Sequence, residues 1–253
     1  MAEAFSHRLE AKSLAGVLIL AGGLSTRMGS PKALLKLPFG ETLLDYHVRS
    51  AAKLGVPILI ADNGQGFATQ FETVSGSIRY IQDYQPHSTN PEADSKHSAG
   101  PLGAILAGMQ GLLADNESKW LLVVSCDSLV NSLDIWQYLT EEKAQSLQNS
   151  ATALNEYNAQ PQMYCLADSE RDYPLLALYQ LQLAEPLKAY LDSGERRVMR
   201  FISPISQSVP MPLDWYTLSN LNTPEQFQIA CQQLWIKLSR LFKQAKVMQT
   251  YSN

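Results

Sequence analysis

A short apolar run, Val17–Leu20, leads directly into a glycine-rich loop, and this junction constrains the fold more than any other segment of the chain. Four consecutive apolar residues predict a fully buried strand, which is typical of parallel sheets covered by helices on both faces. Gly22, Gly23 and Gly29 allow successive backbone N–H groups to turn toward one anion. The junction therefore predicts an α/β fold with an anion-binding loop after its first strand.

Two basic residues, Arg27 and Lys32, give this loop its charge. A guanidinium binds phosphate oxygens as a fork and an ammonium binds them as a point charge, so the two can hold different oxygens of one polyphosphate. The alternative is an ordinary glycine-rich turn, but such a turn does not require Arg-Met-Gly followed by Pro-Lys at these spacings. We therefore expect the loop to bind a nucleoside triphosphate.

Neither of the common phosphate-binding loops matches this segment. The P-loop requires Ser or Thr after its lysine, and Ala33 follows Lys32 here. The dinucleotide fingerprint requires three glycines in the order G-x-G-x-x-G, whereas this loop has a glycine pair and then a glycine six residues later. A different class of nucleotide-binding loop is indicated.

Composition limits the classes of protein that this chain can represent. With 253 residues, of which 45% are apolar, the chain is most simply one domain. A net charge of −4 argues against nucleic-acid binding, which favours a basic surface. The cysteines are far apart and suggest neither a zinc site nor a disulfide framework: Cys126, Cys165 and Cys231. Neither a signal peptide nor a bilayer-spanning stretch is evident, so we expect a cytoplasmic protein without a membrane partner.

Strand-like and helix-like segments alternate along the chain, which predicts a mostly parallel sheet flanked by helices. The expected further strands are Val56–Ala61, Ile78–Gln82, Trp120–Val124 and two short ones near Ala151–Leu154 and Leu175–Leu178. Helices are expected after Thr42, from about Pro101 to Leu113, from Leu183 to Leu191 and from Thr223 onward.

Four polar or glycine positions follow the predicted strands of the N-terminal half: Gly22, Asn63, Asp83 and Asp127. Ligands of open α/β sheets bind at the carboxyl ends of the strands. Asp127 is a candidate Mg²⁺ ligand, because this hard ion prefers carboxylate and phosphate oxygens. The alternative is that Asp127 only caps a helix or shapes a turn.

The glycine-rich segment resembles the signature of nucleotidyltransferases, and within them most resembles the molybdenum cofactor guanylyltransferase (MobA) family. The motifs that carry the resemblance are Leu20-Ala21-Gly22-Gly23, Arg27-Met28-Gly29 and Lys32. The similarity covers roughly Gly16 to Phe227 and implies a Rossmann-like three-layer α/β/α fold of the nucleotide-diphospho-sugar transferase type. Related cytidylyltransferases typically carry Ala where this chain has Gly22, which favours GTP over CTP.

The resemblance implies transfer of GMP from GTP to the terminal phosphate of molybdopterin, the organic part of the molybdenum cofactor, with Mg²⁺ as cofactor and release of pyrophosphate. The implied catalytic residues are Arg27, Lys32 and Asp127. The implied GTP-binding residues are Leu20, Ala21, Gly22, Gly23, Lys32, Asn63, Asp83, Gly100, Pro101, Leu102 and Asp127. The implied metal ligands are Asp127 and Asn222, and the implied acceptor-binding residues are Arg171, Asp172, Arg196, Arg197 and Asn220.

Some of these assignments have structural alternatives. Asn220 and Asn222 could both serve only to cap the helix at Thr223, and one of Arg196 and Arg197 could be a surface ion-pair residue. The chain also departs from the family pattern in three places. Ala61-Asp62-Asn63 stands where an asparagine is expected at the first position, the loop from Tyr84 to Ala99 is longer than expected, and the tail after about Leu234 is additional.

We expect one nucleotidyltransferase domain over residues 14–234, with a GTP-binding half at 16–130 and an acceptor-binding half at 150–230. Residues 235–253 form a predicted helical extension with an apolar stripe (Trp235, Leu238, Leu241, Phe242 and Ala245) and a basic flank (Lys237, Arg240, Lys243 and Lys246). The stripe either packs on the chain's own sheet or a second subunit, or docks an acidic partner such as a molybdoenzyme apoprotein or a cofactor carrier.

Two other classes of function remain open at this point. One is a cytidylyltransferase or a sugar-1-phosphate nucleotidyltransferase of the same fold. The other is a non-catalytic nucleotide-binding chaperone for the maturation of molybdoenzymes. An intact set of charged residues favours the enzyme, since Arg27, Lys32 and Asp127 are all present.

Overall fold

The computed structural model describes residues 13–23, 28–71, 78–86, 99–113, 119–152 and 160–250, with backbone only for 147–152 and 240–250. Within these ranges the strands are β1 Leu14–Leu20, β2 Ile58–Ala61, β3 Ile78–Ile81, β4 Trp120–Ser125, β5 Met163–Ala167, β6 Asp172–Gln180 and β7 Ser206–Pro210. The helices are α1 Leu43–Ala52, α2 Gly100–Gln110, α3 Ser132–Thr152, α4 Ala184–Asp192, α5 Val198–Ile202 and α6 Pro224–Thr250.

The described strands form one seven-stranded sheet in the order β3-β2-β1-β4-β6-β5-β7. β1 pairs in parallel with both β2 and β4, and β2 pairs in parallel with β3. β6 runs antiparallel to β4 and β5, whereas β5 and β7 are parallel to each other. The sheet is therefore mostly parallel, as the sequence predicts, and β6 alone reverses direction within it.

Helices cover both faces of this sheet, because successive residues of a buried strand point to opposite sides. Val17 and Ile19 of β1 belong to the apolar cluster beneath α1, α3 and α6. Leu18, which lies between them, belongs to the cluster beneath α2, α4 and α5. These two cores make the three-layer α/β/α arrangement that the resemblance implies.

The ends of the helices follow the predicted capping signals. The side chain of Thr42 accepts a hydrogen bond from the Asp45 N–H at 3.0 Å and so caps α1. Gly194 adopts a φ of +89° after α4, a conformation that favours glycine at the end of a helix. Helix α6 runs without interruption through residues 234 and 235, where the sequence suggests that an extension begins.

One secondary-structure prediction is wrong. A short strand was expected near Ala151–Leu154, but Ala151 and Thr152 form the last turn of α3, and residues 153 and 154 lie outside the described ranges. No glycine or proline interrupts the sequence from Ser132 up to Pro161, so the helix has no local signal to stop earlier. The strand of this region is instead β5.

Among the described residues, no helix has both the length and the apolar composition required to cross a bilayer.

Candidate active site

The carboxyl ends of β1, β2, β3 and β4 meet at one edge of the sheet, and the loops that leave them carry the predicted nucleotide-binding residues. The Ala21 N–H donates to the Ala61 carbonyl at 2.8 Å, and the Cys126 N–H donates to the Leu20 carbonyl at 3.0 Å. These bonds extend the β1–β2 and β1–β4 hydrogen-bond ladders by one residue each. The loops therefore leave the sheet side by side.

Gly22 lies directly against the turn that follows β2. A Cβ atom at this position would stand 2.7 Å from the Asn63 Cβ and 2.8 Å from the Asp62 carbonyl carbon. Asn63 itself has a φ of +54°, so the turn is already in a left-handed conformation. Glycine at position 22 is thus explained by the close approach of two backbone segments.

Of the two predicted loop cations, the structure describes Lys32, which begins a 3₁₀ turn after the glycine loop. Its ammonium donates to the Asn222 side-chain oxygen at 2.7 Å and lies 3.7 Å from a carboxylate oxygen of Asp127. Arg27, the second predicted loop cation, lies outside the described residues. Residues from the loops after β1 and β4 and from the start of α6 thus meet at one point.

The segment before α6 brings Asn220 and Asn222 to this cluster. The Asn222 side-chain amide donates to the Asn220 side-chain oxygen at 2.7 Å. The cap of α6 is formed by other residues: the Thr223 hydroxyl accepts from the Gln226 N–H at 3.2 Å, and the Gln226 side chain accepts from the Thr223 N–H at 3.1 Å. The two asparagine side chains are therefore engaged in the cluster with Lys32, and the interpretation that they merely cap the helix is wrong.

The oxygen atoms around Lys32 suit a hard divalent cation. Asp127 contributes a carboxylate and Asn222 an amide oxygen, both of which Mg²⁺ accepts as ligands. Within the described residues, no three His, Cys, Asp or Glu side chains form a group that could hold a metal ion by themselves. A divalent cation held by Asp127 and Asn222 would take its remaining ligands from phosphate and water, as Mg²⁺ commonly does.

Two carboxylates lie at the carboxyl ends of β2 and β3. Asp62 is buried and accepts from the N–H groups of Gly64, Gly66 and Phe67 at 2.7–3.0 Å, so it fixes the turn after β2. Asp83 is different, because its buried Oδ1 has no hydrogen-bond partner among the described residues. Burial raises the pKa of Asp83, and the charge of Asp62 raises it further.

The predicted segment Gly100-Pro101-Leu102 forms the first turn of α2. Gly100 has a φ of +60°, which favours glycine. Leu102 is fully buried in the core, so only its backbone can reach a ligand. Gly103 allows a close approach to the segment after β3, since a Cβ there would lie 3.0 Å from the Tyr84 carbonyl oxygen.

Apart from Asn220, which bonds to Asn222, the predicted acceptor-binding residues separate into two groups. Arg171 stacks on the ring of Tyr173, with 4.7 Å between its guanidinium carbon and the ring centroid. The interaction with the Tyr173 side chain raises the pKa of Arg171, and the charges of Asp168 and Asp127 raise it further. The Asp172 carboxylate instead accepts from the Ser208 hydroxyl at 2.6 Å and so links β6 to β7.

In the second group, Arg196 serves the backbone. Its guanidinium donates to the carbonyl oxygens of Leu191 and Glu195, both at 2.6 Å, and thereby caps the carboxyl end of α4. Arg197 is exposed, and its own carbonyl accepts from the Tyr190 hydroxyl at 2.9 Å. Arg200 forms a surface ion pair with Glu195, and among the described residues neither Arg196 nor Arg197 forms one.

The sequence model of the MobA-like NTP transferase domain matches residues 17–208, which is most of the chain. The chain belongs to this family. It is a nucleotidyltransferase with a mixed central sheet and flanking helices.

Curated relatives of this MobA-like transferase are similar over nearly their full length. It is 25% identical over 223 residues to a protein of Bacillus mycoides named probable molybdenum cofactor guanylyltransferase. The aligned residues cover 86% of this chain and 96% of the relative. It is 29% identical over 210 residues to the molybdenum cofactor guanylyltransferase of Yersinia pestis, which covers 82% of this chain and 90% of the relative.

Solved structures share the fold at lower identity. Molybdopterin-guanine dinucleotide biosynthesis protein A from Archaeoglobus fulgidus superposes with a TM-score of 0.58 at 17% identity, covering 86% of this chain and 97% of the other. A 2-C-methyl-D-erythritol 4-phosphate cytidylyltransferase from Francisella tularensis superposes with a TM-score of 0.55 at 14% identity, covering 86% and 98%.

Two residues of this transferase that the sequence reasoning did not assign contribute to the site. Asp62 organises the turn against which Gly22 packs, and Gln226 completes the cap that leaves Asn222 available to Lys32. A signal existed for each. Asp-Asn-Gly is a turn sequence that favours hydrogen bonds from the aspartate to following N–H groups, and Thr-x-x-Gln has the spacing of a capping box.

Proposed function

We propose that the protein transfers GMP from GTP to the terminal phosphate of molybdopterin, with Mg²⁺, and releases pyrophosphate. The observation that carries the proposal is the cluster of Lys32, Asp127 and Asn222 at the carboxyl edge of the sheet. The names of the curated relatives supply the acceptor and the base. The family identifies the reaction class as nucleotidyl transfer.

Lys32 is proposed to bind the triphosphate of GTP. Its ammonium is held 2.7 Å from Asn222 and is partly buried, so it is directed before any ligand binds. A preorganised cation stabilises the charge that develops on the departing pyrophosphate, at no further cost of reorganisation. The backbone N–H groups of the glycine loop, together with Arg27, are proposed to hold the remaining phosphate oxygens.

Asp83 is proposed to recognise the guanine base. Guanine presents N1–H and the N2 amino group as neighbouring donors, which match the two oxygens of one carboxylate. Cytosine offers only one amino group beside an acceptor nitrogen, so a carboxylate would meet one repulsive partner. Because the buried Oδ1 of Asp83 has no partner among the described residues, a donor from a bound base would satisfy it.

The transfer step needs no general base, because the nucleophile is a phosphate oxygen of the acceptor that is already ionised near neutral pH. The residues therefore have to position two anions and offset their repulsion. Arg171, whose guanidinium stacks on Tyr173, and the exposed Arg197 are proposed to contact the anionic acceptor. Asp127 and Asn222 would hold Mg²⁺, which when bound neutralises charge on the phosphate oxygens.

The organisation of the chain also stays a prediction: a domain at residues 14–234, a helical extension beyond it, a cytoplasmic location, and molybdoenzyme apoproteins or cofactor carriers as partners. Within the domain, the Lys32–Asn222 contact joins the proposed GTP-binding half to the start of α6. We therefore propose that the catalytic cluster forms only when residues beyond 218 are present.

The test is an assay of pyrophosphate release by the purified protein with Mg²⁺, molybdopterin and each of GTP, ATP, CTP and UTP. We expect release with GTP, and a product whose mass equals molybdopterin plus GMP minus one water. Lys36→Ala serves as a control, since Lys36 is an exposed lysine four residues after Lys32. Release with CTP in preference to GTP, or product formation only with a sugar phosphate as acceptor, would contradict the proposal.

A further inference from the structure

Two successive residues of α1 hold the turn that carries Asp127. The hydroxyl of Tyr46 donates to the Leu129 carbonyl at 2.9 Å, and the Nε2 atom of His47 lies 2.8 Å from the Ser128 carbonyl. Both side chains are buried, and His47 is fully so. Since a carbonyl oxygen only accepts, the proton of His47 must lie on Nε2.

The imidazole of His47 is not explained by packing. Burial lowers the pKa of His47 to about 4, against the opposing effect of the nearby Asp127 charge, so the ring is neutral at physiological pH. Its Nδ1 is buried and has no hydrogen-bond partner among the described residues. An apolar side chain would fill the space without leaving a polar atom unsatisfied, so the feature that a histidine adds here is the Nε2–H group.

The turn that His47 contacts connects two parts of the candidate site. The Leu221 N–H donates to the Asp127 carbonyl at 2.7 Å, and the Leu129 N–H donates to the Leu218 carbonyl at 2.7 Å. The turn after β4 therefore fixes both Asp127 and the segment that leads to Asn222. A change in the direction of the turn would move the two proposed metal ligands together.

We propose that Tyr46 and His47 are positioning residues of the metal site, which act through the carbonyls of Leu129 and Ser128 to direct the Asp127 carboxylate and the Asn222 segment. The proposal rests on the proposed function only in that it takes Asp127 and Asn222 as ligands of a divalent cation. Neither side chain contacts a reacting atom. Partners that orient metal ligands commonly determine affinity for the metal as strongly as the shape of the site does.

The test compares His47→Gln with His47→Met. The two replacements have similar length and flexibility, but only glutamine carries an N–H donor. Mn²⁺, which prefers the same oxygen ligands as Mg²⁺, is the probe. Its binding to the protein is measured by electron paramagnetic resonance as the loss of free-ion signal beyond the loss that the nucleoside triphosphate alone causes. Tyr46→Phe removes the neighbouring donor with little change in volume, and Val48→Ala perturbs the same helix at a buried position without a bond to the turn.

We expect His47→Met and Tyr46→Phe to raise the dissociation constant for Mn²⁺ by about tenfold or more, the lower end of what loss of such partners costs. His47→Gln should restore affinity to within about threefold of the unmodified protein, and Val48→Ala should lower the thermal midpoint without weakening Mn²⁺ binding. Equal dissociation constants for His47→Gln and His47→Met, or wild-type affinity in Tyr46→Phe, would overturn the proposal. A Val48→Ala protein that loses as much affinity for Mn²⁺ as His47→Met and Tyr46→Phe would also overturn the proposal.

The comparison uses whichever nucleoside triphosphate the unmodified protein binds. A preference for a nucleotide other than GTP would therefore contradict the proposed function and leave the test of the positioning residues intact. If the protein binds no Mn²⁺ beyond what each nucleotide binds alone, both proposals fail. If Mn²⁺ binds but the variants do not differ, only the positioning role fails.

Discussion

The ammonium of Lys32 donates a 2.7 Å hydrogen bond to the side-chain oxygen of Asn222, 190 residues further along the chain. This contact joins the loop after the first strand to the residue just before the cap of the last helix. Because Asp127 also lies 3.7 Å from the same ammonium, three separate segments of chain converge on one charge. The predictions for Lys32, Asp127 and Asn222 depend on this convergence.

Loss of Lys32 or Asp127 should abolish most of the activity while the fold is kept. Both side chains are partly exposed at the edge of the sheet, so Lys32→Ala and Asp127→Ala should remain folded. Removal of one preorganised charge-stabilising group typically lowers the turnover rate by about 100- to 1000-fold. The measurement is turnover at saturating GTP and Mg²⁺, with Lys36→Ala as the matched control. Near-normal turnover in either variant would mean that its assigned role is wrong.

Asn222 and Thr223 are neighbours with separable roles. Asn222→Ala should reduce turnover with little effect on stability, because its side chain bonds to Lys32 and Asn220 and not to the helix end. Thr223→Ala should instead cost about 1 kcal/mol of stability through loss of the α6 cap, with turnover largely kept. Chemical denaturation and steady-state kinetics on the two variants distinguish these outcomes. The reverse pattern would restore the interpretation of Asn222 as a cap.

Asp83 should destabilise the folded protein and support the binding of GTP. Since its folded-state pKa is raised, its ionised form destabilises the folded protein above that pKa, and the penalty disappears as the pH falls below the unfolded-state value. Asp83→Asn should therefore have a higher thermal midpoint at neutral pH, and the gain should shrink as the pH is lowered toward about 4. The same variant should bind GTP more weakly.

Asp62→Asn provides the comparison for Asp83→Asn. It removes acceptor capacity from a carboxylate that holds three backbone N–H groups, so its thermal midpoint should fall rather than rise. A decrease in stability in both variants would show that Asp83 has partners in solution that satisfy its carboxylate.

Gly22→Ala tests whether this glycine serves the backbone or the base. The new methyl group would meet the Asp62–Asn63 turn at 2.7–2.9 Å, so the turn has to move. We expect a lower thermal midpoint and a similar loss of activity with GTP and with CTP. A selective loss of GTP use at an unchanged thermal midpoint would support the interpretation from the family resemblance, in which glycine at position 22 favours GTP over CTP.

The first turns of the predicted extension should contribute to stability. Leu234 is buried, Leu238 packs against the same core, and Lys237 lies 3.4 Å from Asp134. Truncation after Gln233 should therefore lower the thermal midpoint, whereas truncation after Ser239 keeps all of these contacts and should not. If truncation after Ser239 slows delivery of the cofactor to a recipient apoprotein at unchanged GTP turnover, the residues beyond Ser239 form a docking surface.

The edge of the sheet that carries the site could be predicted from the sequence. A strand pattern and the site residue that follows it lie within a few positions of each other, so both can be recognised without knowledge of the fold. The runs that became β1, β2, β3 and β4 each end next to a predicted site residue, and their parallel pairing brings those ends together. The capping interaction of Thr42 is local in the same way. Such features depend on residues within a few positions of one another.

Long-range side-chain partners could not be predicted in this way. The resemblance implied that Asn222 faces the metal, but the pairing of Lys32 with Asn222 depends on how α6 approaches the sheet. Binding of the acceptor by Arg196 stays a prediction. That the Arg196 guanidinium caps α4 could not be predicted, because it depends on where the chain turns after Gly194. Strand β7 was missed, since its polar sequence Ser206–Pro210 lacks an apolar run.

The most direct test of the central claim is a crystal structure of the protein with GTP and Mg²⁺. The account predicts the triphosphate against the glycine loop and Lys32, the metal ion on Asp127 and Asn222, and the guanine edge on Asp83. A triphosphate bound elsewhere on the protein, or a metal ion that does not contact Asp127, would contradict the account.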